Sequence, residues 1–144
     1  MKKRAYILFI LVAAVMSLTS CDKWDCNGDL DGMWQLTEWR DKDNNIKATK
    51  EDLIFYSFQL QMASFRKQSD GDFYMSSMLE VSPDQIRIYN PAVYGGDGHD
   101  KIKEMSRLSI VGVPEDGIFL IQVLTSSMME LKTNGEETLV FRKY

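Results

Sequence analysis

Two stretches at opposite ends of the sequence decide the fold. They are Asp29-Leu30-Asp31-Gly32-Met33-Trp34-Gln35-Leu36 and Thr138-Leu139-Val140-Phe141-Arg142-Lys143-Tyr144. As strands, the first would place Trp34 and Leu36 on one face and Gln35 on the other, and the second would place Leu139 and Phe141 on one face. We interpret them as the first and last strands of one antiparallel sheet and expect them to pair. A sheet whose outermost strands pair is closed and has no free edge. In such a barrel Trp34 would fill the floor, and a basic residue of the last strand would cover it.

The chain between these ends shows the short strands and turns of an up-and-down barrel. The clearest strand is predicted over residues 54–62, where apolar residues occupy every second position. Other strands are predicted over residues 32–40, 73–81, 85–89, 118–124 and 128–133. Asn90-Pro91 should end the strand over residues 85–89. Asn134-Gly135 is a strong hairpin signal, because both residues accept positive φ. Residues 41–51 are predicted to form a polar turn and a loose connection. We therefore expect an all-β, eight-stranded antiparallel up-and-down barrel.

Residues 100–111 are the ambiguous part of the pattern. Ile102, Met105, Leu108 and Val111 recur every three residues, which favours a short helix that begins at Asp100 and ends before Gly112. Residues 108–111 fit a strand equally well. We favour a helical turn that enters a short strand.

The first 20 residues have the features of a targeting signal. Three basic residues at positions 2–4 precede an apolar run over residues 6–16. As a helix that run would be roughly 17 Å long, and the hydrocarbon core of a bilayer is about 30 Å thick. Leu18-Thr19-Ser20-Cys21 follows and resembles a bacterial lipobox, in which Cys21 becomes the acylated first residue. We therefore divide the chain into a signal peptide (1–20), a lipidated tether (21–29) and one domain (30–144).

Charge and cysteine content limit the partners. The signal holds three of the 17 basic residues and none of the 21 acidic residues, so the remainder has a net charge of −7. An acidic domain has no electrostatic reason to bind nucleic acid. With Cys21 acylated, Cys26 is left alone, and a disulfide within the domain is not expected.

The barrel lumen is the default binding site. Its predicted lining residues are Tyr56, Phe58, Leu60, Met75, Phe119, Ile121, Met129, Leu131 and Phe141. An eight-stranded barrel either is filled by its own side chains or holds one small ligand. No nucleophile, acid–base pair or phosphate-binding loop is recognisable, so we predict no catalytic residues and no enzyme activity.

Metal sites and cofactors are not expected either. The spacing from Asn27 through Asp29 and Asp31 to Glu38 partly fits a calcium loop, but position 1 is Asn and no helix flanks it. We interpret it as a turn before the first strand. His99, the only histidine, is interpreted as part of a solvated loop.

The chain resembles the lipocalin-like lipoproteins of Gram-negative gut bacteria. The resemblance rests on the lipobox, Gly32-Met33-Trp34, Ser57-Phe58-Gln59-Leu60, Leu124-Thr125-Ser126-Ser127 and the ending Phe141-Arg142-Lys143-Tyr144. It implies an eight-stranded barrel closed by Gly32, Trp34 and a stacking arginine, which maps to Arg142. Strand alternation from Leu139 and Phe141 instead places Lys143 inward, so either residue remains a candidate.

Two functions are compatible with this interpretation. The first is a ligand-binding lipoprotein, anchored by Cys21 to the outer membrane of the cell envelope, with a small apolar or amphipathic ligand in the lumen. The second is an interaction or inhibitor lipoprotein with a filled barrel, which contacts a protein partner through loops such as Tyr94 to His99. Fold alone does not separate them.

Overall fold

The computed structural model describes residues 27–69, 73–94 and 100–144. This part of the chain contains ten β-strands: β1 (Gly32–Arg40), β2 (Ile46–Thr49), β3 (Ile54–Gln59), β4 (Met62–Lys67), β5 (Phe73–Val81), β6 (Gln85–Tyr94), β7 (Asp100–Ile102), β8 (Ile118–Leu124), β9 (Met128–Thr133) and β10 (Thr138–Lys143). It also contains three 3-10 helices: Gly28–Leu30 precedes β1, Lys50–Asp52 lies between β2 and β3, and Met105–Val111 lies between β7 and β8.

Eight of these strands form a closed antiparallel barrel, as predicted. Their order around the barrel is β1, β3, β4, β5, β6, β8, β9 and β10, and β10 pairs with β1. At this seam Trp34 is opposite Lys143, Leu36 is opposite Phe141, and Arg40 is opposite Thr138. The short strands β2 and β7 are additions that pair with β1 and β6. The first and last strands therefore meet in one continuous hydrogen-bonded sheet.

The strands form because apolar side chains alternate along them. In β3, Ile54, Tyr56 and Phe58 are buried while the residues between them are partly exposed, and β10 buries Leu139 and Phe141 in the same way. These inward rows form one cluster inside the barrel. Each strand therefore contributes one apolar row to a common interior.

The two ends of the barrel are closed by different elements. At one end Leu30 and Trp34 are fully buried, and the Trp34 Nε1 donates a hydrogen bond to the Leu30 carbonyl at 2.8 Å. At the other end the 3-10 helix Met105–Val111 buries Leu108 and Val111 against the interior. Gly112 ends this helix in the left-handed conformation, with φ of 89°. We call the first end the anchor-side end, because the described chain begins there at Asn27, six residues after the predicted anchor Cys21.

Several predicted boundaries were wrong. The strand predicted over residues 54–62 is a hairpin: β3 ends at Gln59, Leu60 has φ of 56°, and β4 begins at Met62. Asn90-Pro91 does not end its strand, because β6 continues to Tyr94 with Asn90 at φ of 50°.

The connections also differ from the predictions. The connection over residues 41–51 contains β2 and the start of a 3-10 helix capped by Thr49. In the region of residues 100–111 the strand precedes the helix, and Glu104 rather than Asp100 is its N-cap.

Candidate binding site at the barrel end

Side chains of the barrel itself fill its interior. Of the predicted lining residues, Tyr56, Phe58, Met75, Phe119, Met129, Leu131 and Phe141 are at most 2% exposed. The Tyr56 ring is their centre: its centroid lies 4.6 Å from that of Phe141, 4.7 Å from that of Phe65, and 6.3 Å from that of Phe119. Such close contacts among aromatic rings leave this part of the lumen packed.

The one polar group of this cluster is satisfied within the protein. The Tyr56 hydroxyl donates a 2.7 Å hydrogen bond to the carbonyl of Val111, at the end of the 3-10 helix that closes the barrel. Burial raises the pKa of Tyr56 well above its ordinary value of 10.0. The hydroxyl is therefore a buried structural donor, and it links the aromatic cluster to the helix.

Two predicted lining residues lie elsewhere. Leu60 is 42% exposed, so its prediction as an inward residue was wrong. Its error follows from the missed hairpin, because a residue at the turn leaves the alternation of β3. Ile121 is half-buried beside a register shift in β8. Both residues line the same open groove at the anchor-side end.

This groove has a volume of about 710 Å³ and opens to solvent. Its apolar lining residues come from three strands and two turns: Leu60, Leu79, Val81, Pro83, Tyr89, Ile121 and Leu124. Asn27, Gln61, Glu80 and Ser82 contribute polar groups. An apolar surface with a few polar groups is the usual composition of a site for small amphipathic molecules.

Sequence reasoning missed most of the groove. Leu79, Val81 and Leu124 were within predicted strands, but the mouth they form depends on where β5 and β8 end relative to the β3–β4 turn. Phe65, which packs on Tyr56, was missed because β4 was not recognised. Its signal is the alternation of Ala63 and Phe65, both of which are fully buried.

The basic residue that covers Trp34 is Lys143. Its Nζ lies 4.8 Å from the centroid of the Trp34 ring and donates a 2.8 Å hydrogen bond to the carbonyl of Asp29. Arg142, which the resemblance assigned to this role, is exposed and is opposite Gln35 in the sheet. The assignment of Arg142 is therefore corrected to Lys143, the residue that alternation placed inward.

Gly32 lies next to this pair. It has φ of 119°, which side-chain-bearing residues rarely adopt. A Cβ at this position would lie 2.9 Å from the Cε of Lys143. The glycine therefore allows the chain to enter β1 directly under the lysine side chain.

The residues considered for calcium form a turn. The Asn27 side chain donates to the Asp31 carboxylate at 2.6 Å, and Glu38 forms an ion pair with Arg40 at 2.7 Å. In the described ranges no group of three or more His, Cys, Asp or Glu residues is arranged to hold a metal ion. Of the loop predicted over Tyr94 to His99, Tyr94 instead ends β6, and residues 95–99 lie outside the described residues, as do Cys21 and Cys26. Among the residues described, no helix is both long and apolar enough to cross a bilayer.

Comparisons with known proteins agree with this geometry. A sequence model of the lipocalin-like domain matches residues 16–144. The chain belongs to this lipocalin-like domain family. No curated protein matches the sequence. The closed barrel, with Trp34 under a basic residue of the last strand, is therefore a lipocalin-like barrel. Packing around Tyr56 fills its interior, so this part of the barrel has no open lumen.

Solved structures share the lipocalin-like fold at low sequence identity. A lipocalin-like protein from Bacteroides uniformis is 22% identical, with a TM-score of 0.60, over 81% of this chain and 100% of its own. An uncharacterized protein from Bacteroides eggerthii is 21% identical, with a TM-score of 0.59, over 80% of this chain and 99% of its own. A protein from Burkholderia xenovorans is 15% identical, with a TM-score of 0.51, over 88% of this chain and 92% of its own. At these identities the likeness concerns the fold.

Proposed function

We propose that this protein is a lipid-anchored lipocalin-like lipoprotein of the outer membrane that binds a small apolar or amphipathic molecule without catalysing a reaction. The anchor is Cys21, acylated after removal of residues 1–20. The observation that carries the binding proposal is the groove at the anchor-side end, where apolar residues surround an open space of about 710 Å³.

The groove replaces the deep lumen as the proposed ligand site. The interior around Tyr56 is packed, whereas Ile121 and Leu124 are only half-buried and have free surface toward the groove. The apolar part of a bound ligand would contact these residues and Leu79. The only charged side chain of the lining is Glu80, which forms an ion pair with Arg87 at 3.5 Å. The remaining polar groups are neutral, so an uncharged or amphipathic ligand suits the groove best.

Ligand binding is tested on the intact protein extracted from its native membrane. Leu124→Glu places a charge in the groove and should remove small molecules that co-purify, as measured by mass spectrometry of an organic extract. Leu120→Glu is the matched control, because Leu120 is on the same strand, is 36% exposed and does not line the groove. Identical extracts from the wild type and both variants would contradict the proposal.

The anchor is tested separately. Cys21→Ser should abolish incorporation of a labelled fatty acid and release the protein from the membrane fraction. Cys26→Ser replaces the cysteine five residues later and should leave both acylation and membrane association unchanged. A Cys21→Ser protein that stays acylated and membrane-bound would refute the anchor.

The packed interior favours one second candidate, an interaction lipoprotein that acts through its surface. Cross-linking in intact cells would then capture a specific envelope protein, and the organic extracts would contain no specific small molecule.

A further inference from the structure

The anchor-side end of the barrel is the end at which the described chain begins. The Asn27 side chain donates a 2.8 Å hydrogen bond to the carbonyl of Leu60, at the tip of the β3–β4 hairpin. The turn between β8 and β9 lies at the same end, since the Lys143 backbone N–H donates to the Ser127 carbonyl at 2.9 Å. The start of the described chain, two hairpin turns and the mouth of the groove thus share one end.

Two of the three anchor-side hairpins differ in charge from the turns of the opposite end; the third, between β5 and β6, carries Glu80 and Asp84. Residues 57–63 and 122–129, which form those two anchor-side hairpins, contain no Asp, Glu, Lys or Arg. At the opposite end every corresponding turn is charged, namely residues 41–45, 50–52, 114–117 and 134–137. The uncharged β3–β4 and β8–β9 hairpins therefore form an apolar sector of the anchor-side end, next to the charged β5–β6 turn.

The uncharged hairpins also expose large apolar side chains. Leu60, Met62 and Met128 are 42%, 48% and 44% exposed. Met33 and Tyr144 lie at the same end, where β1 begins and β10 ends, and the Tyr144 backbone N–H donates to the Met33 carbonyl at 2.9 Å. Both side chains are exposed, and the Tyr144 ring also contacts Phe55, with 5.4 Å between ring centroids. The opposite end exposes Ile46, Ile102 and Ile110 as well, but among charged turns. We call Met33, Leu60, Met62, Met128 and Tyr144 the apolar rim.

We propose that the apolar rim rests on the lipid bilayer that holds the acyl chains of Cys21, so that the groove opens at the membrane surface. This inference rests on the lipid anchor of the proposed function. Six residue steps separate Cys21 from Asn27, and a fully extended chain of that length spans about 20 Å. Asn27 contacts Leu60, so the anchor keeps the rim within reach of the bilayer.

The contact with lipid is apolar rather than electrostatic. The segment that enters β1, the β5–β6 hairpin and the end of β10 lie at the anchor-side end and carry four acids and two bases: Asp29, Asp31, Glu80, Asp84, Arg142 and Lys143. An excess of acidic residues gives no attraction to anionic lipids. Methionine, leucine and tyrosine side chains are suited to the boundary between headgroups and acyl chains. Contact with neutral phosphatidylcholine should therefore persist in high salt.

The inference is tested by fluorescence quenching on the full acylated protein in phosphatidylcholine vesicles that contain a nitroxide-labelled phosphatidylcholine. An environment-sensitive fluorophore is attached at Ser126→Cys, in the rim-side turn, or at Lys42→Cys, in an exposed turn of the opposite end. Both proteins carry Cys26→Ser, and Cys21 is blocked by its acyl group. We expect blue-shifted, quenched emission at residue 126 and unquenched emission at residue 42.

A charged rim separates contact from mere tethering. Met62→Glu with Met128→Glu should abolish quenching at residue 126 although the tether is unchanged. Ile46→Glu with Ile110→Glu is the matched control, with the same added charge at exposed apolar positions of the other end, and should keep the quenching. Mass spectrometry of the N-terminal peptide first establishes acylation. If the peptide carries no acyl group, the anchor of the proposed function is overturned. If the protein is acylated but the quenching is equal at residues 42 and 126, or the charged rim leaves the quenching unchanged, only the inference about the rim is overturned.

Discussion

Lys143 and Trp34 are opposite each other at the β1–β10 seam, and the Nζ of the lysine lies 4.8 Å from the centroid of the indole ring. The same Nζ donates a hydrogen bond to the carbonyl of Asp29 at 2.8 Å. One side chain thus connects the last strand to the buried tryptophan and to the segment that enters β1. This is where the two ends of the chain are joined by side chains as well as by the sheet.

Replacing Lys143 with Met should therefore destabilise the barrel by about 1–2 kcal/mol, because a partly desolvated cation–π contact and a charge-assisted hydrogen bond are lost together. Lys143→Arg should retain most of the stability, since a guanidinium also stacks on indole. Urea unfolding followed by tryptophan fluorescence measures the difference. Arg142→Met is the control and should change stability little. An equal loss at positions 142 and 143 would contradict the assignment of Lys143.

Gly32→Ala should cost about 1–3 kcal/mol, because φ of 119° strains any residue with a Cβ. Gly28→Ala is the matched control: its φ is 59°, a value that the left-handed region accommodates, and nothing lies within 4 Å of its added Cβ. It should cost about 1 kcal/mol. In the double variant Gly32→Ala with Lys143→Ala, the contact between the new Cβ and the Cε of Lys143 is absent. The combined loss should then be smaller than the sum of the single losses.

Leu60 has a backbone conformation that a leucine rarely adopts. It is the first of the two turn residues between β3 and β4 and has φ of 56°, and glycine is preferred at such a position. Leu60→Gly should stabilise the protein by about 1 kcal/mol. It should also weaken ligand retention in the groove and contact with lipid, because Leu60 contributes to both surfaces. Thermal unfolding tests the gain in stability, and the organic extracts test the loss of ligand. Gln61→Gly, at the neighbouring turn residue, is the control and should bring no gain in stability.

The same residue explains why part of the fold could not be predicted. Alternation of apolar residues continues through residues 54–62, and neither Leu60 nor Gln61 is a turn former, so the sequence shows no break. Strands β5, β8 and β9 were predicted with their observed bounds, because polar or proline-containing turns flank them. The groove could not be predicted for a related reason: its shape depends on where the β3–β4 turn lies relative to the ends of β5 and β8.

The last hairpin shows a similar limit. Asn134-Gly135 did predict a turn between β9 and β10, but the residue with positive φ is Glu136, at 63°. The Glu136 N–H donates to the Thr133 carbonyl at 3.0 Å, and the Thr133 N–H donates to the Glu137 carbonyl at 2.9 Å. Turn residues thus locate a hairpin in the sequence, while the pairing of the flanking strands decides which residue takes the left-handed conformation.

Tyr56 provides the pH-dependent prediction. At neutral pH Tyr56→Phe should cost about 1–2 kcal/mol, because the buried Val111 carbonyl loses its 2.7 Å hydrogen bond. Burial raises the pKa of Tyr56 in the folded state above the value of 10.0 that it has when exposed. Above pH 10 the unfolded chain therefore releases this proton while the folded protein keeps it, and deprotonation favours unfolding.

The contribution of the neutral Tyr56 is thus complete below pH 10 and is lost as the pH rises toward the folded-state pKa. Urea unfolding at a series of pH values from neutral to strongly alkaline should show the wild type losing stability more steeply than Tyr56→Phe above pH 10, so that the gap between them narrows. Tyr74→Phe removes a hydroxyl at a position that is 52% exposed and should follow the wild-type curve. Parallel curves for the wild type and Tyr56→Phe through this range would show that the Tyr56 hydroxyl is not buried against Val111.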